Sequence, residues 1–314
     1  MDTILIVGIE TVVGANLAAT LADRYRVVGL SIGSKISIAG CETITCHMRS
    51  SEETVREWVS STQPKWIVYC STAARSSWDI DELDQSDDHS IHAVCNWATA
   101  AAEFDSHLTI ISSDAVFNGP WMFHQEDSDC LCTNNAARVI QSIEHLAETL
   151  CPNTLVVRTS AYGWSPSSVG SSWIDRAVSA FETSRVVTFD SVRHATPILA
   201  TDLASILERA LQKSLTGIYH VAGAERVNPA QFVQELANQL GLTLPGSAAN
   251  HSLSQRPTDF CAAETSLHTK KIRKALGISM PMVSEGLSRL AEQRQNGYCK
   301  RLNGESETLH EQVA

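Results

Sequence analysis

The sequence predicts an α/β protein with a doubly wound, mainly parallel sheet and a smaller C-terminal lobe on the substrate side. The first observation is a strand, turn and helix at the N-terminus, where an apolar run over 4–7 ends at Gly8 and a helical pattern follows over 12–22. The second is a regular alternation of apolar, β-branched runs with helical segments as far as Arg158, which favours right-handed βαβ crossovers. The third is an irregular rhythm beyond that residue, with short elements interleaved.

The remaining elements follow in order along the chain. In the first half, helices are predicted at 52–60, 91–104 and 137–150, between strands at 26–30, 66–70, 108–111 and 154–157. In the second half, helices are predicted near 174–181, 201–212 and 229–240, with strands near 186–188 and 217–221. The change of rhythm sets the predicted domains: a nucleotide-binding domain over 1–160, a smaller lobe with interleaved elements over 161–296, and a polar tail over 297–314 that frays.

Composition and charge exclude several classes of protein. The formal net charge of −11 would repel a phosphate backbone, so we expect no nucleic-acid partner. The cysteines include no CxxC pair, and Cys130 and Cys132 form a lone CxC, so we expect reduced thiols, a cytoplasmic location and no metal. The apolar opening over 4–21 contains Glu10 and lacks a basic leader, and no other stretch approaches the roughly 18 apolar residues of a membrane span.

A glycine-containing turn is the first candidate site. The segment Gly8-Ile9-Glu10-Thr11-Val12-Val13-Gly14 stands where a GxxGxxG turn of a Rossmann sheet places backbone amides and a helix N-terminus against a pyrophosphate. We therefore predict that Gly8, Thr11, Val12, Val13 and Gly14 contact a nicotinamide dinucleotide. Thr11 replaces the middle glycine and Glu10 adds a negative charge, so binding should be weak or lost. The alternative is a turn kept only for packing.

The end of the second strand bears on the choice of dinucleotide. NAD-preferring proteins present an acid there to the ribose hydroxyls, whereas this chain offers Ser31, Ser34 and Lys35. A site without the acid tolerates a 2'-phosphate better. The sequence therefore favours NADP over NAD, with Ser31 and Lys35 as predicted contacts.

One segment resembles a known family. Ile110-Ile111-Ser112-Ser113-Asp114-Ala115-Val116-Phe117-Asn118-Gly119 resembles the strand and loop S-[ST]-D-Y-V-F-D-G of the dTDP-4-dehydrorhamnose reductases, members of the extended short-chain dehydrogenase/reductase group. Further similar segments follow in family order, at 64–74, 158–160, 193–203, 217–220 and 256–257. The resemblance implies a nicotinamide cofactor contacted by Cys70, Ser71, Thr72 and Ser112. It also implies a nucleotide-sugar ketone contacted by Asp114, Phe117, Arg193 and Arg256.

In this family a Ser or Thr, a Tyr and a Lys assist hydride transfer from the nicotinamide to the ketone: the Tyr protonates the developing alkoxide, and the Lys lowers the pKa of that Tyr. Ser113 matches the first position. The motif N-x-Y-G-x-[ST]-K-x-x-G-E is similar to residues 134–144, where Ala136 stands at the Tyr position and Ile140 at the Lys position. Neither side chain can donate a proton or carry a cation.

Two further positions depart from the family pattern. Ala115 replaces the tyrosine of the loop, and Cys95 stands where the family carries a structural Asn. A shift of register cannot restore the missing pair, because no Tyr or Lys occurs between Phe123 and Leu155.

These departures predict a degenerate reductase-like protein. Loss of general-acid catalysis costs about 10²–10⁴ in rate. We therefore expect a binding or regulatory protein that binds NADP weakly or not at all, takes a nucleotide-sugar-like small molecule, and pairs with a partner enzyme or a second copy of itself. The alternative is an active NADPH-dependent reductase with a relocated general acid, for which Tyr162, His124 and His194 are candidates. Tryptophans at 78, 121, 164 and 173 line a ligand pocket or simply pack.

Overall fold

The computed structural model describes residues 1–46, 50–70, 75–79, 88–166, 172–187, 189–244 and 264–305. Its strands are β1 (Thr3–Val7), β2 (Arg26–Ile32), β3 (Glu42–Cys46), β4 (Trp66–Tyr69), β5 (His107–Ser113), β6 (Thr154–Thr159), β7 (Ala161–Tyr162), β8 (Ile198–Leu199) and β9 (Gly217–His220). Seven of them form one parallel sheet in the order β3-β2-β1-β4-β5-β6-β9, and β7 pairs with β8. This confirms the predicted fold class.

The helices cover both faces of the sheet. They are α1 (Val12–Leu21), α2 (Glu52–Thr62), α3 (Asp88–Glu103), α4 (Asn135–Leu150), α5 (Trp173–Glu182), α6 (Ala200–Gln212), α7 (Pro229–Leu240), α8 (Lys270–Leu276), α9 (Val283–Gln295) and α10 (Tyr298–Arg301). Side chains alternate along β1, as a strand requires. Ile4 and Ile6 join a core with α1 and α6, whereas Leu5 and Val7 join a second core with α2, α3 and α4.

The order of the strands positions the site. The chain runs outward from β1 to β3 on one side and from β4 to β9 on the other, so a crevice opens at the carboxyl ends of β1 and β4. Ligands of doubly wound sheets bind at this switch point. The turn after β1, the loop after β2 and the loop after β5 all lie at this edge.

The smaller lobe shares its core with the sheet. The hydrophobic cluster on the α1 and α6 face continues through Phe181 of α5 and Phe232 of α7 to Leu287 of α9. The predicted boundary near residue 160 therefore falls between β6 and β7, within one continuous core. No helix in the described ranges is long and apolar enough to cross a membrane.

Two expectations for local structure are wrong. Val186 and Val187 belong to no strand, and residue 188 lies outside the described residues. Residues 297–305, predicted to belong to a frayed tail, are folded, because α10 packs back onto α1: the Tyr298 hydroxyl donates to Asn16 Oδ1 at 2.9 Å, and Leu302 is fully buried. Residues 306–314 lie outside the described residues. One apolar residue and one buried hydroxyl anchor a segment whose composition is otherwise polar.

Candidate cofactor and substrate site

The glycine turn is built for close packing. Gly8 has a φ of +84°, and a Cβ there would overlap the carbonyl oxygen of Cys70 at the end of β4. A Cβ at Gly14 would overlap the carbonyl oxygen of Gly8. Both glycines are therefore required by the turn itself, with or without a ligand.

Thr11 caps the helix that follows the turn. Its hydroxyl donates to the Gly8 carbonyl at 2.8 Å and accepts the Gly14 N–H at 3.0 Å, as an N-cap side chain does. In the described structure the N–H groups of Val12 and Val13 donate to no other residue. The Val12 and Val13 amides at the start of α1 are therefore available to an anion. The third amide, that of Gly14, is occupied by the Thr11 hydroxyl.

The end of β2 is organised differently from the sequence expectation. The Ser31 hydroxyl donates to the Ser34 carbonyl, so it is used within its own loop, and Lys35 is exposed. The Glu10 carboxylate accepts the backbone N–H of Ile32 at 3.1 Å. Burial raises the pKa of Glu10 above its ordinary value, against two backbone hydrogen bonds that lower it.

The predicted contacts from β4 and its loop are only partly described. Cys70 is buried, and its N–H donates to the Val7 carbonyl at 2.8 Å. Burial raises the pKa of the Cys70 thiol, which makes a thiolate unfavourable there. Ser71 and Thr72 lie outside the described residues, as does Arg256.

Ser112 belongs to a buried ionic network. Its hydroxyl donates to Glu144 of α4, and Glu144 pairs with Arg158 of β6 through bonds of 2.7 to 3.2 Å. Both charged side chains are almost completely buried. The Ser112 hydroxyl is therefore directed at a structural ion pair.

Ser113 and Asp114 close the end of β5. The Ser113 hydroxyl donates to the Arg75 carbonyl at 2.6 Å and accepts the Ala115 N–H at 3.0 Å. The Asp114 carboxylate accepts the Ser77 N–H at 2.9 Å, the Ser77 hydroxyl at 2.7 Å and the Thr265 hydroxyl at 2.8 Å. Asp114 thus ties the loop after β4 to the segment that leads into α8.

Burial dominates the electrostatics of this carboxylate. Asp114 is fully buried, and desolvation raises its pKa from 3.8 to about 6, although the hydrogen bonds from Ser77 and Thr265 act in the opposite direction. Desolvation disfavours the charged form, and donors favour it. Here desolvation prevails.

Hydrocarbon occupies the positions at which the resemblance predicts the catalytic groups. Ala115, Ala136 and Ile140 are buried in one apolar cluster that also contains Phe117 and Leu267. The three departures that were separate in the sequence are therefore neighbours in space. The cluster leaves no ionisable group at the predicted Tyr and Lys positions.

Phe117 is the centre of an aromatic stack. The His124 ring lies parallel to it at 4.5 Å, and His220 meets its edge at 5.4 Å. The Arg158 guanidinium lies 5.0 Å from the same ring. His124 is buried, its Nε2 faces the Glu264 carbonyl at 3.3 Å, and burial lowers its pKa. These contacts place Phe117 and His124 in the interior.

The two other candidate acids lie in different surroundings. Tyr162 is buried against Phe232, and a Cβ at Gly286 would overlap its hydroxyl. Burial raises the pKa of Tyr162. His194 places Nδ1 2.8 Å from the Val192 carbonyl. Their catalytic roles stay predictions.

A pocket in the smaller lobe combines aromatic rings with arginines. It has a volume of about 260 Å³, and its lining includes Trp78, Trp173, Phe189, Arg176, Arg185 and Arg193. Trp78 and Trp173 meet edge to face at 5.6 Å. Arg193, a predicted substrate contact, pairs with Asp190. Trp164 instead packs in the core, and Trp121 is exposed.

Sequence reasoning missed Arg176 and Arg185. Arg176 lies one turn into α5 and pairs with Asp79 at 3.0 Å, whereas Arg185 follows the end of α5 and is exposed. The spacing of two arginines nine residues apart carries no signal for a pocket. In the described ranges, no group of three or more His, Cys, Asp or Glu side chains is arranged to hold a metal ion.

A Rossmann sheet, a glycine turn at its switch point and an S-S-D loop after β5 define a nucleotide-sugar reductase or epimerase type of fold. The chain belongs to the family described as RmlD substrate binding domain, which matches residues 1–296. A curated relative is the probable low-salt glycan biosynthesis reductase Agl14 of Haloferax volcanii. It is 23% identical over 298 residues, which cover 91% of this chain and 96% of the relative.

Solved structures share the fold at lower identity. The dTDP-4-dehydrorhamnose reductase of Bacillus anthracis, in complex with NADP, is 18% identical with a TM-score of 0.74, over 93% of this chain and 99% of that one. The Bordetella bronchiseptica enzyme WbmH, in complex with NAD+, is 16% identical with a TM-score of 0.75, over 95% of this chain and 100% of that one.

Proposed function

We propose that this protein binds a nicotinamide dinucleotide and a nucleotide-sugar-like ligand, and that it reduces the ligand slowly or not at all. The observation that carries the proposal is the apolar cluster around Ala115, Ala136 and Ile140. A protein of this kind acts by binding, as a regulatory partner of an enzyme or of a second copy of itself.

Reduction of a ketone requires one proton in addition to the hydride. A bound nicotinamide would supply hydride, and a ketone that accepts hydride becomes an alkoxide that must be protonated. Ala136 and Ile140 offer no donor, and the Ser113 proton is already given to the Arg75 carbonyl. Loss of the general acid alone costs about 10²–10⁴ in rate.

The proposed binding of a dinucleotide is based on the start of α1. The Val12 and Val13 amides and the positive end of the helix dipole suit a pyrophosphate. Thr11 weakens the site because its hydroxyl takes the Gly14 N–H. Structural neighbours with NADP or NAD+ bound support the class of cofactor.

The second ligand is inferred from the pocket in the smaller lobe. Guanidinium groups pair with phosphate oxygens in two-pronged geometry, and the rings of Trp78 and Trp173 offer faces and edges for a base. Asp79 and Asp190 hold Arg176 and Arg193 there until an anionic ligand competes for them. A nucleoside diphosphate carrying a sugar has this combination of groups.

One observation favours a second candidate function, an active reductase with a relocated acid. The Asp114 carboxyl adjoins Ser113, and burial raises its pKa to about 6, which suits proton transfer near neutral pH. Its oxygens already accept hydrogen bonds from Ser77 and Thr265. Protonation of a substrate would therefore require this network to open.

The two candidates are separated by measuring binding and turnover in one sample. We would titrate the protein with NADH and NADPH by fluorescence, add dTDP or a dTDP-4-keto-sugar, and follow absorbance of the reduced nicotinamide. We expect saturable binding without consumption. We expect Arg185→Ala to weaken dTDP binding by roughly tenfold, whereas Arg138→Ala, at an exposed position of α4, leaves it unchanged. Turnover that disappears in Asp114→Asn would establish the second candidate instead.

A further inference from the structure

Glu10 occupies an unusual place for a residue of the glycine turn. The turn is fastened to the end of β2, because the N–H groups of Gly8 and Ile9 both donate to the Leu30 carbonyl, at 2.8 and 3.2 Å. This brings the Glu10 carboxylate onto the N–H of Ile32, 22 residues along the chain. The carboxylate therefore lies at the carboxyl end of β2.

That end of β2 is where a dinucleotide site reads the adenosine ribose. An acid there accepts hydrogen bonds from the ribose hydroxyls. In the described residues 30–46, Glu42 is the single acid. It is the first residue of β3 and therefore lies toward the amino ends of the strands, away from the carboxyl end of β2. Ser31 turns its hydroxyl to the Ser34 carbonyl. Glu10 thus places a carboxylate at the end of β2, where the residues of that strand and its loop provide none.

We propose that Glu10 acts as the ribose-recognising acid, and that the site consequently selects a dinucleotide with a free 2'-hydroxyl over one with a 2'-phosphate. This inference rests on the proposed dinucleotide site and names its specificity. A carboxylate with one N–H bound can still accept hydrogen bonds from a ribose. The doubly charged 2'-phosphate, in contrast, would meet a like charge.

The electrostatic surroundings of Glu10 support the same preference. Burial, and after it the Glu10 charge, raise the pKa of the Cys46 thiol to about 11, so the Glu10 charge is felt at the end of β3. Lys35 is the single basic side chain in the described residues 30–46, and it is exposed. The proposed preference for NAD therefore differs from the preference for NADP that Ser31 and Lys35 led us to expect from the sequence.

The test compares affinities in four proteins. Dissociation constants of NADH and NADPH are measured by fluorescence and calorimetry at pH 8, which favours the charged form of Glu10, for wild type, Glu10→Gln, Glu42→Gln and Lys35→Gln. Adenosine 5'-monophosphate and adenosine 2',5'-bisphosphate serve as competitors without nicotinamide. Glutamine keeps an acceptor for the Ile32 N–H, so the Glu10→Gln variant preserves the turn.

We expect wild type to favour NADH by on the order of tenfold, from the repulsion of like charges near a partly solvated site. Glu10→Gln should reduce that ratio at least threefold, and Glu42→Gln should leave it unchanged. A wild-type preference for NADPH that is lost in Lys35→Gln overturns the inference, and so does a preference for NADH that Glu10→Gln does not alter. If folded wild type binds neither dinucleotide, the proposed cofactor site itself fails, and the inference fails with it.

Discussion

Replacement of Asp114 by asparagine tests the balance between burial and hydrogen bonding at the end of β5. Burial raises the pKa of this carboxyl from 3.8 to about 6. A shift of about two units corresponds to about 3 kcal/mol, at roughly 1.4 kcal/mol for each unit. The native state therefore holds the Asp114 proton more tightly than the unfolded chain does.

The sign of the effect follows from proton linkage. Because the pKa of Asp114 is raised on folding, its contribution to stability is fully present below pH 3.8 and is lost as the pH rises through about 6. Asparagine has no such titration. The free energy of unfolding of Asp114→Asn, relative to wild type, should therefore increase by about 2.4 kcal/mol between pH 4 and pH 7, most of the full difference.

Urea unfolding followed by tryptophan fluorescence at several pH values measures this difference. The control is Asp129→Asn, measured at the same pH values, because Asp129 is exposed. If the Asp114→Asn difference is constant with pH, burial does not dominate this site. A difference of opposite slope would show that the hydrogen bonds from Ser77 and Thr265 outweigh desolvation.

Three further experiments test the packing of the site and its supports. Thr11→Gly should free the Gly14 N–H and tighten dinucleotide binding in a calorimetric titration, while stability falls by only a few tenths of a kcal/mol; unchanged affinity would mean that the third amide does not contact the ligand. Gly286→Ala should destabilise the fold by about 1–3 kcal/mol, because its Cβ would overlap the Tyr162 hydroxyl, and Tyr162→Phe should recover part of that loss in a double-mutant cycle. Leu302→Ala should cost about 2–5 kcal/mol in chemical unfolding, and a loss below about 0.5 kcal/mol would return the segment after residue 297 to a frayed tail.

The sheet was predictable from sequence because its signal is local. Strands such as β4 and β6 are short, continuous apolar runs between helical segments, the pattern of strands covered on both faces. β3 was missed because Glu42–Cys46 is a partly exposed edge strand that alternates polar and apolar residues. Helix α9 was missed because its composition is largely polar, although Leu287 and Leu290 are among its buried residues.

The site was predictable only where chemistry could be read from one segment. The replacement of the middle glycine by Thr11 predicts a weakened anion site, and the contact to the Gly14 N–H gives that prediction a physical reason. The contact between Glu10 and Ile32 spans 22 residues and leaves no periodicity in the sequence. Arg176 and Arg185 likewise leave no sequence signal for the pocket that they both line, because their meeting depends on how α5 packs against α7.

The joint loss of the catalytic groups is more informative than any single loss. A lysine retained at position 140 without its tyrosine would bury an unpaired ammonium group, which costs several kcal/mol. A tyrosine retained at position 136 would need a partner for its hydroxyl. Ala136 and Ile140 instead pack with Ala115 as hydrocarbon, so this part of the fold is internally consistent without a reaction.

The lobe that would receive a ligand keeps three arginines and two tryptophans around an open cavity. Charged groups gathered at a cavity gain little for folding, since pairs near solvent contribute only about 0–1 kcal/mol. This arrangement supports the ligand proposed for the cavity, and the proposed binding without reduction would account for both halves of the site.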